Sequence, residues 1–99
     1  MRFVQIIEFK TGDIDAVKGV VDEFIAKTEG KRTAEHALMA EDRDRPGTYL
    51  NIVEFPSYEA AMDNSNLPET AEVAGKLASL CDGPPTFRNL DVIRVEDMK

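Results

Sequence analysis

Three side chains in this 99-residue chain stand out as candidates for chemistry: His36, Asn51 and Asp91. His36 is the only histidine. An imidazole titrates near neutrality and can serve as a general base. The competing reading is a partly exposed histidine on an outer strand. Asn51 sits in "TYLNIVEF", residues 48–55, where its amide can donate a hydrogen bond to a carbonyl or an oxyanion as charge develops. Alternatively, water and a cross-strand neighbour satisfy it. Asp91 can orient His36 or accept a ligand hydroxyl, or it can sit at a sheet rim paired with Arg2 or Arg88. Gln5 and Asn89 are amides open to the same two readings. Tyr49 offers a hydroxyl, although tyrosine in a strand usually packs.

Other chemistries lack their residues. One histidine and one cysteine cannot supply the usual zinc sets, so no metal site is expected. No glycine-rich phosphate loop follows a strand, so no nucleotide cofactor is implied. Cys81 has no partner for an internal disulfide and reads as a helix-packing residue. The formal charge of −7 argues against a nucleic-acid partner, which needs clustered Lys and Arg, and against anionic membranes. No apolar run approaches the roughly 20 residues that span a bilayer. At the N-terminus, Gln5 and Glu8 interrupt the apolar stretch and no small-residue cleavage site follows. These features predict a cytoplasmic protein.

The chemistry-bearing residues lie on strands, and the elements that carry them can be read in order along one domain, residues 1–99. Residues 2–10 alternate with both faces largely apolar, which predicts a central strand. Asp13 is a plausible N-cap for a helix with the stripe Ile14, Val17, Val20, Val21, Phe24, Ile25 and Thr28, ended by Gly30. Residues 33–42 predict a less buried strand, "RDRPG" a charged hairpin connection, and residues 48–55 the next strand. Ser57 can cap a helix that Pro68 interrupts, and "NSNLPET" at that break is either a lid or a plain interruption. The second segment carries the stripe Ala71, Ala74, Leu77, Ala78 and Cys81, flanked by Val73 and Leu80. Residues 86–95 predict the last strand. The order β-α-β-β-α-β, with right-handed crossovers, gives an α+β ferredoxin-like fold whose antiparallel sheet runs 4-1-3-2.

Both helices of such a fold lie on one side of the sheet. An aliphatic set (Val4, Ile6, Leu50, Ile52, Leu90, Val92, with Ala37 and Met39) is expected to face them. The other set is Phe3, Gln5, Ile7, Phe9, His36, Leu38, Tyr49, Asn51, Val53, Phe55, Phe87, Asn89, Asp91 and Ile93. That mixture is too apolar for open water and too polar for a dry core. A second copy packed against it, enclosing a partly polar cavity, would reconcile the two. A homodimer holding a small molecule is therefore expected, with Asn51 lining the cavity.

In this arrangement the chain resembles the dimeric α/β barrel proteins, and more specifically the antibiotic-biosynthesis-monooxygenase-like domain family. The resemblance covers nearly all of the chain. It rests on "NIVEFPSYEAAM", where Asn51 and Phe55 match an Asn-x-x-x-Trp pair and Ala60 matches a small helix residue. The chain departs from that pattern in having no Trp. Haem-degrading members place a His on the helix after this strand, and "MDNSNLPET" has none, so haem ligation is not expected. The resemblance implies a cofactor-independent monooxygenase acting on an aromatic or polyketide-like molecule. His36 would be its base, Asn51 would hold the oxyanion with Gln5 or Asn89, and Phe3, Phe9, Tyr49 and Phe55 would clamp the ring. A non-catalytic binding or sensing module, or an isomerase or cyclase, would fit the same fold.

Overall fold

A computed structural model describes residues 1–98. Its elements are β1 (Phe3–Lys10), α1 (Ile14–Lys27), β2 (His36–Glu41), β3 (Thr48–Phe55), α2 (Tyr58–Ser65), α3 (Pro68–Leu80) and β4 (Thr86–Asp91). The sheet is antiparallel throughout, in the order β2-β3-β1-β4, which is the predicted arrangement read from the other edge.

Local chemistry sets the boundaries. The Asp13 carboxylate accepts from the Ala16 N–H at 3.1 Å and caps α1. Ser57 Oγ accepts from the Ala60 N–H at 3.0 Å and caps α2. Pro68 has no N–H to lose at the first position of a helix, so α3 restarts there. Gly30, at φ +81°, takes the left-handed conformation that ends the first helical unit. The last strand stops at Asp91 rather than Val95, because only one neighbour, β1, is present and its pairing runs out at Phe3. Val92 adds a single bond to the Arg2 carbonyl.

Two threonines and one asparagine tie the layers together, and a third threonine closes the end of α1. Thr11 is buried, and its hydroxyl donates to the Leu80 carbonyl at 2.7 Å, joining the end of β1 to the end of α3. Thr28 is fully buried and donates back to the Phe24 carbonyl. Asn64 is buried in α2, where its Oδ1 accepts from the Thr33 N–H at 3.2 Å. Its carbonyl accepts from the Thr70 hydroxyl, so one residue links the loop before β2 to both later helices.

The register settles which residues share a face, and it corrects the expectation. Phe3, Gln5, Ile7 and Phe9 stand opposite Phe55, Val53, Asn51 and Tyr49. On the far side of β1, Asp91, Asn89 and Phe87 complete this set. It is the helix-covered face: Phe3 and Phe55 are buried in one cluster with Ala61 of α2, and the Phe3 ring meets Tyr58 edge-on at 5.4 Å. The aliphatic set of Val4, Ile6, Leu50, Ile52 and Leu90 is the bare one. For β2 the expected phase holds, since Ala37 and Met39 stand opposite Val53 and Asn51 on the helix side. His36 and Leu38 therefore point the other way. The expectation failed because it assigned the compact aliphatic residues to the helices. The helices instead stand over the aromatic and amide face and leave a gap.

The α3 stripe is also rotated. Ala71, Ala74 and Ala78 are exposed, whereas Val73, Leu77 and Leu80 are half-buried against the rest of the fold. Alanine carries too little apolar area to outcompete Val and Leu for the inward position.

Candidate functional site

The gap between sheet and helices is a cavity of about 420 Å³. That lies within the size range of small-molecule sites. Gln5, Ile7, Ala37, Asn51, Val53 and Phe55 form its floor on the sheet, and Val21, Phe24, Ile25, Val73 and Leu77 its roof on α1 and α3. Arg32, Ala34, Glu35 and His36 border one side. The wall is therefore mainly aliphatic and aromatic, with three amides (Gln5, Asn51 and Asn64), the Thr70 hydroxyl and one cluster of charged groups.

Asn51 projects into the cavity from the middle of β3, between Ile7 and Met39 in the ladder. Among the described residues its amide makes no hydrogen bond. Gln5 is different: its Nε2 donates to Asn89 Oδ1 at 3.2 Å, so these two amides, directly opposite each other, share one hydrogen bond. Arg32 Nη1 donates to the Ile25 carbonyl at 2.8 Å and to Thr28 Oγ1 at 3.3 Å, which fixes a permanent cation at the border.

A second cavity of about 400 Å³ continues under the other end of α1. Ile14, Lys18, Val21, Asp22, Met39, Ala40, Glu41 and Tyr49 line it, so Val21 belongs to both cavities. The Tyr49 ring stacks on Phe9 at 5.8 Å and faces Glu41 across the ladder. Burial, then the Glu41 charge and its acceptance of the phenolic hydrogen, push the Tyr49 hydroxyl above its ordinary value, so it stays protonated.

Five of the nine residues singled out in the sequence border these cavities: Gln5, His36, Asn51 and Phe55 at the first, Tyr49 at the second. Phe3, Phe9, Asn89 and Asp91 do not line them. Phe3 and Phe9 are core residues that brace the floor, and Asn89 supports Gln5. The proposed pairing of His36 with Asp91 does not occur. The two stand on opposite edge strands, separated by three strand spacings, or roughly 14 Å. His36 is exposed, opposite Glu54, and three register positions from Asn51, roughly 10 Å along the ladder. Cys81 ends α3 with its thiol pushed up by burial and by the charge of Asp82, the reverse of an activated nucleophile. Among the described residues no group of three His, Cys, Asp or Glu converges as a metal site would require.

Sequence reasoning passed over Arg32, Glu35 and Thr70 at the cavity. Arg32 carried a usable signal, a cation just past a helix C-terminus. Val21, Phe24, Val73 and Leu77 were legible only as helix stripe residues.

Solved structures of antibiotic-biosynthesis-monooxygenase-like proteins share this ferredoxin-like fold. One is SnoaB, a cofactor-independent oxygenase from Streptomyces nogalater, with a TM-score of 0.79 at 15% identity over 95% of each chain. Another is Rv0793 from Mycobacterium tuberculosis, with a TM-score of 0.79 at 15% identity over 98% of this chain and 100% of that one. A third, an antibiotic biosynthesis monooxygenase, has a TM-score of 0.73 at 19% identity over 95% and 100%. At such identities the likeness is one of fold. No protein-family model and no curated protein matches the sequence. No helix among the described residues is long and apolar enough to cross a membrane.

Proposed function

We propose that the chain is a cofactor-independent monooxygenase that holds a small aromatic or polyketide-like molecule between its sheet and its helices. The observation that carries this reading is the Asn51 amide, without a hydrogen-bond partner among the described residues, facing a mainly apolar cavity of about 420 Å³. A polar group left free in such a place loses stability unless a guest or water completes it. In the proposed reaction an acidic C–H or phenolic proton leaves the substrate, and the Asn51 amide stabilises the oxyanion that forms. Arg32 adds positive charge at the border. The electron-rich substrate then reduces dioxygen itself. One oxygen atom enters the ring as a carbonyl, two hydrogens are lost from that carbon, and the second oxygen leaves as water. Phe55, Phe24 and Val73 exclude bulk water from the intermediate. The departing proton is taken up at the mouth, where Glu35 stands.

The same reading makes the chain a cytoplasmic homodimer. Leu38 and Leu90 are 47% and 43% exposed on the bare face, beside Val4, Ile6, Leu50 and Ile52. A second copy would cover this aliphatic face, not the amide face assigned from sequence. Removing the apolar area from water supplies the drive, at roughly 25 cal/mol per Å².

The test is oxygen uptake and product formation with a panel of anthrones and quinols. Turnover in wild type, lost in Asn51→Ala with affinity kept, supports the reading. Measurable binding without turnover would favour a non-catalytic binding module instead. One feature speaks for that alternative: the titratable groups at this cavity are confined to the single segment 32–36.

A further inference from the structure

The second cavity has no role in the reaction above, yet it is nearly as large as the first and shares a wall with it. Both lie on the same face of the β2–β3 ladder beneath α1. Asn51 and Tyr49 are two residues apart on one strand face, about 7 Å. Met39, opposite Asn51, and Val21, in the roof of both cavities, form the waist between them. A guest seated at Asn51 can therefore extend along the sheet beneath α1 into the second cavity, whose outer rim, Asp22 and Glu41, is exposed.

The polar groups at that far end are mostly hydrogen-bond acceptors. Glu41 and Asp22 present carboxylate oxygens, and Tyr49 adds a phenolic oxygen. Glu41 is held in place because its Oε2 accepts from the Gly47 N–H at 3.1 Å across the hairpin. Tyr49 is held by its stack on Phe9. The one cation, Lys18, lies within 3.9 Å of Asp15, one turn back on α1. The end of the slot thus offers acceptors on rigid supports, and its charged lining of Lys18, Asp22 and Glu41 sums to −1.

We propose that this second cavity is a subsite for a hydrogen-bond-donating arm, a hydroxyl or an amine, on an aromatic substrate whose ring lies at Asn51. The inference rests on the reading that the first cavity holds an aromatic guest. It goes further in naming the substrate's shape and end group: a planar body with a donor-bearing extension, recognised by Glu41 and Tyr49. A carboxylate in the same place meets Glu41 and Asp22 and is rejected.

Binding of 1-naphthol and of naphthols bearing a short alkyl arm ended in methyl, hydroxyl, amine or carboxylate separates the possibilities. On wild type, the hydroxyl- and amine-ended compounds bind about tenfold tighter than the methyl-ended one, the value of one good hydrogen bond. The carboxylate-ended compound binds more weakly than the methyl-ended one. Glu41→Gln and Tyr49→Phe keep the Gly47 contact and the Phe9 stack respectively, and each shrinks the donor advantage to threefold or less while leaving 1-naphthol unchanged. Thermal melts confirm that both variants are folded. If 1-naphthol binds but the end group makes no difference, the subsite is refuted and the first cavity stands. A donor advantage that survives both substitutions refutes it equally. If no compound binds, the subsite falls together with the reading beneath it.

Discussion

Replacing Asn51 with leucine should weaken function and leave the fold as stable as before, or slightly more so. That amide makes no hydrogen bond among the described residues, and Ile7, Val53, Phe55, Val21 and Phe24 stand around its cavity. An isosteric apolar group there gives up no internal hydrogen bond, and it removes a polar group from a mainly apolar setting. A gain of up to about 0.5 kcal/mol is expected, in line with the usual stability penalty of functional residues. For a chain of this length that corresponds to a rise in Tm of roughly 2–4 °C. The catalytic effect runs the other way: losing an oxyanion donor lowers kcat by about 10² to 10³. Differential scanning calorimetry and oxygen uptake with an anthrone measure the two. A Tm that falls by more than about 4 °C would show that Asn51 holds the sheet together, and its assignment as an oxyanion donor would then have no structural basis.

His36→Ala should lower kcat less than about threefold, because the imidazole is exposed at the rim and roughly 10 Å along the ladder from Asn51; a hundredfold loss would restore it as the base. Ile52→Glu and Leu90→Glu should shift sedimentation from a dimer, twice the 11.0 kDa chain, to a folded monomer, whereas Phe55→Asp should unfold the chain because Phe55 is buried against Phe3 and Ala61. Asn64→Ala should cost about 1–3 kcal/mol, since it leaves the Thr33 N–H without its acceptor; denaturant melts with unchanged m would measure it. Acid should loosen α1 from α3. Hydrogen bonds from Lys27 and then Lys76 bring the Glu23 carboxyl from its ordinary 4.5 down to about 2, and the same two lysines lower Glu72. A depressed folded-state value means that the stabilisation is complete above pH 4.5 and is lost as pH falls towards 2. Urea midpoints should decline over that window, and less steeply in Glu23→Gln.

How much of this was legible in the sequence varies with the range of the interaction. The caps at Asp13 and Ser57, the break at Pro68 and the span of β3 depend on contacts a few residues apart, and the chain states them directly. Topology followed as well, because few ways of joining β-α-β-β-α-β satisfy the handedness of crossovers. The composition of the two sheet faces was equally readable: alternation placed Phe3, Gln5, Asn51 and Phe55 together, and they are together.

Which face the helices take was not readable, and the site depended on it. Alternation assigns residues to two faces without saying which is covered, since a strand has the same period seen from either side. Nor does it phase one strand against the next; that requires the register, which put Met39 rather than His36 beside Asn51. Local patterns along the chain specify the elements, their order and the presence of a greasy yet polar sheet surface. That α1 and α3 stand over that surface and leave room beneath them is a matter of long-range packing. The reason is that the inward side chains Val21, Phe24, Val73 and Leu77 are set by packing between elements distant in the chain, where no local pattern reaches.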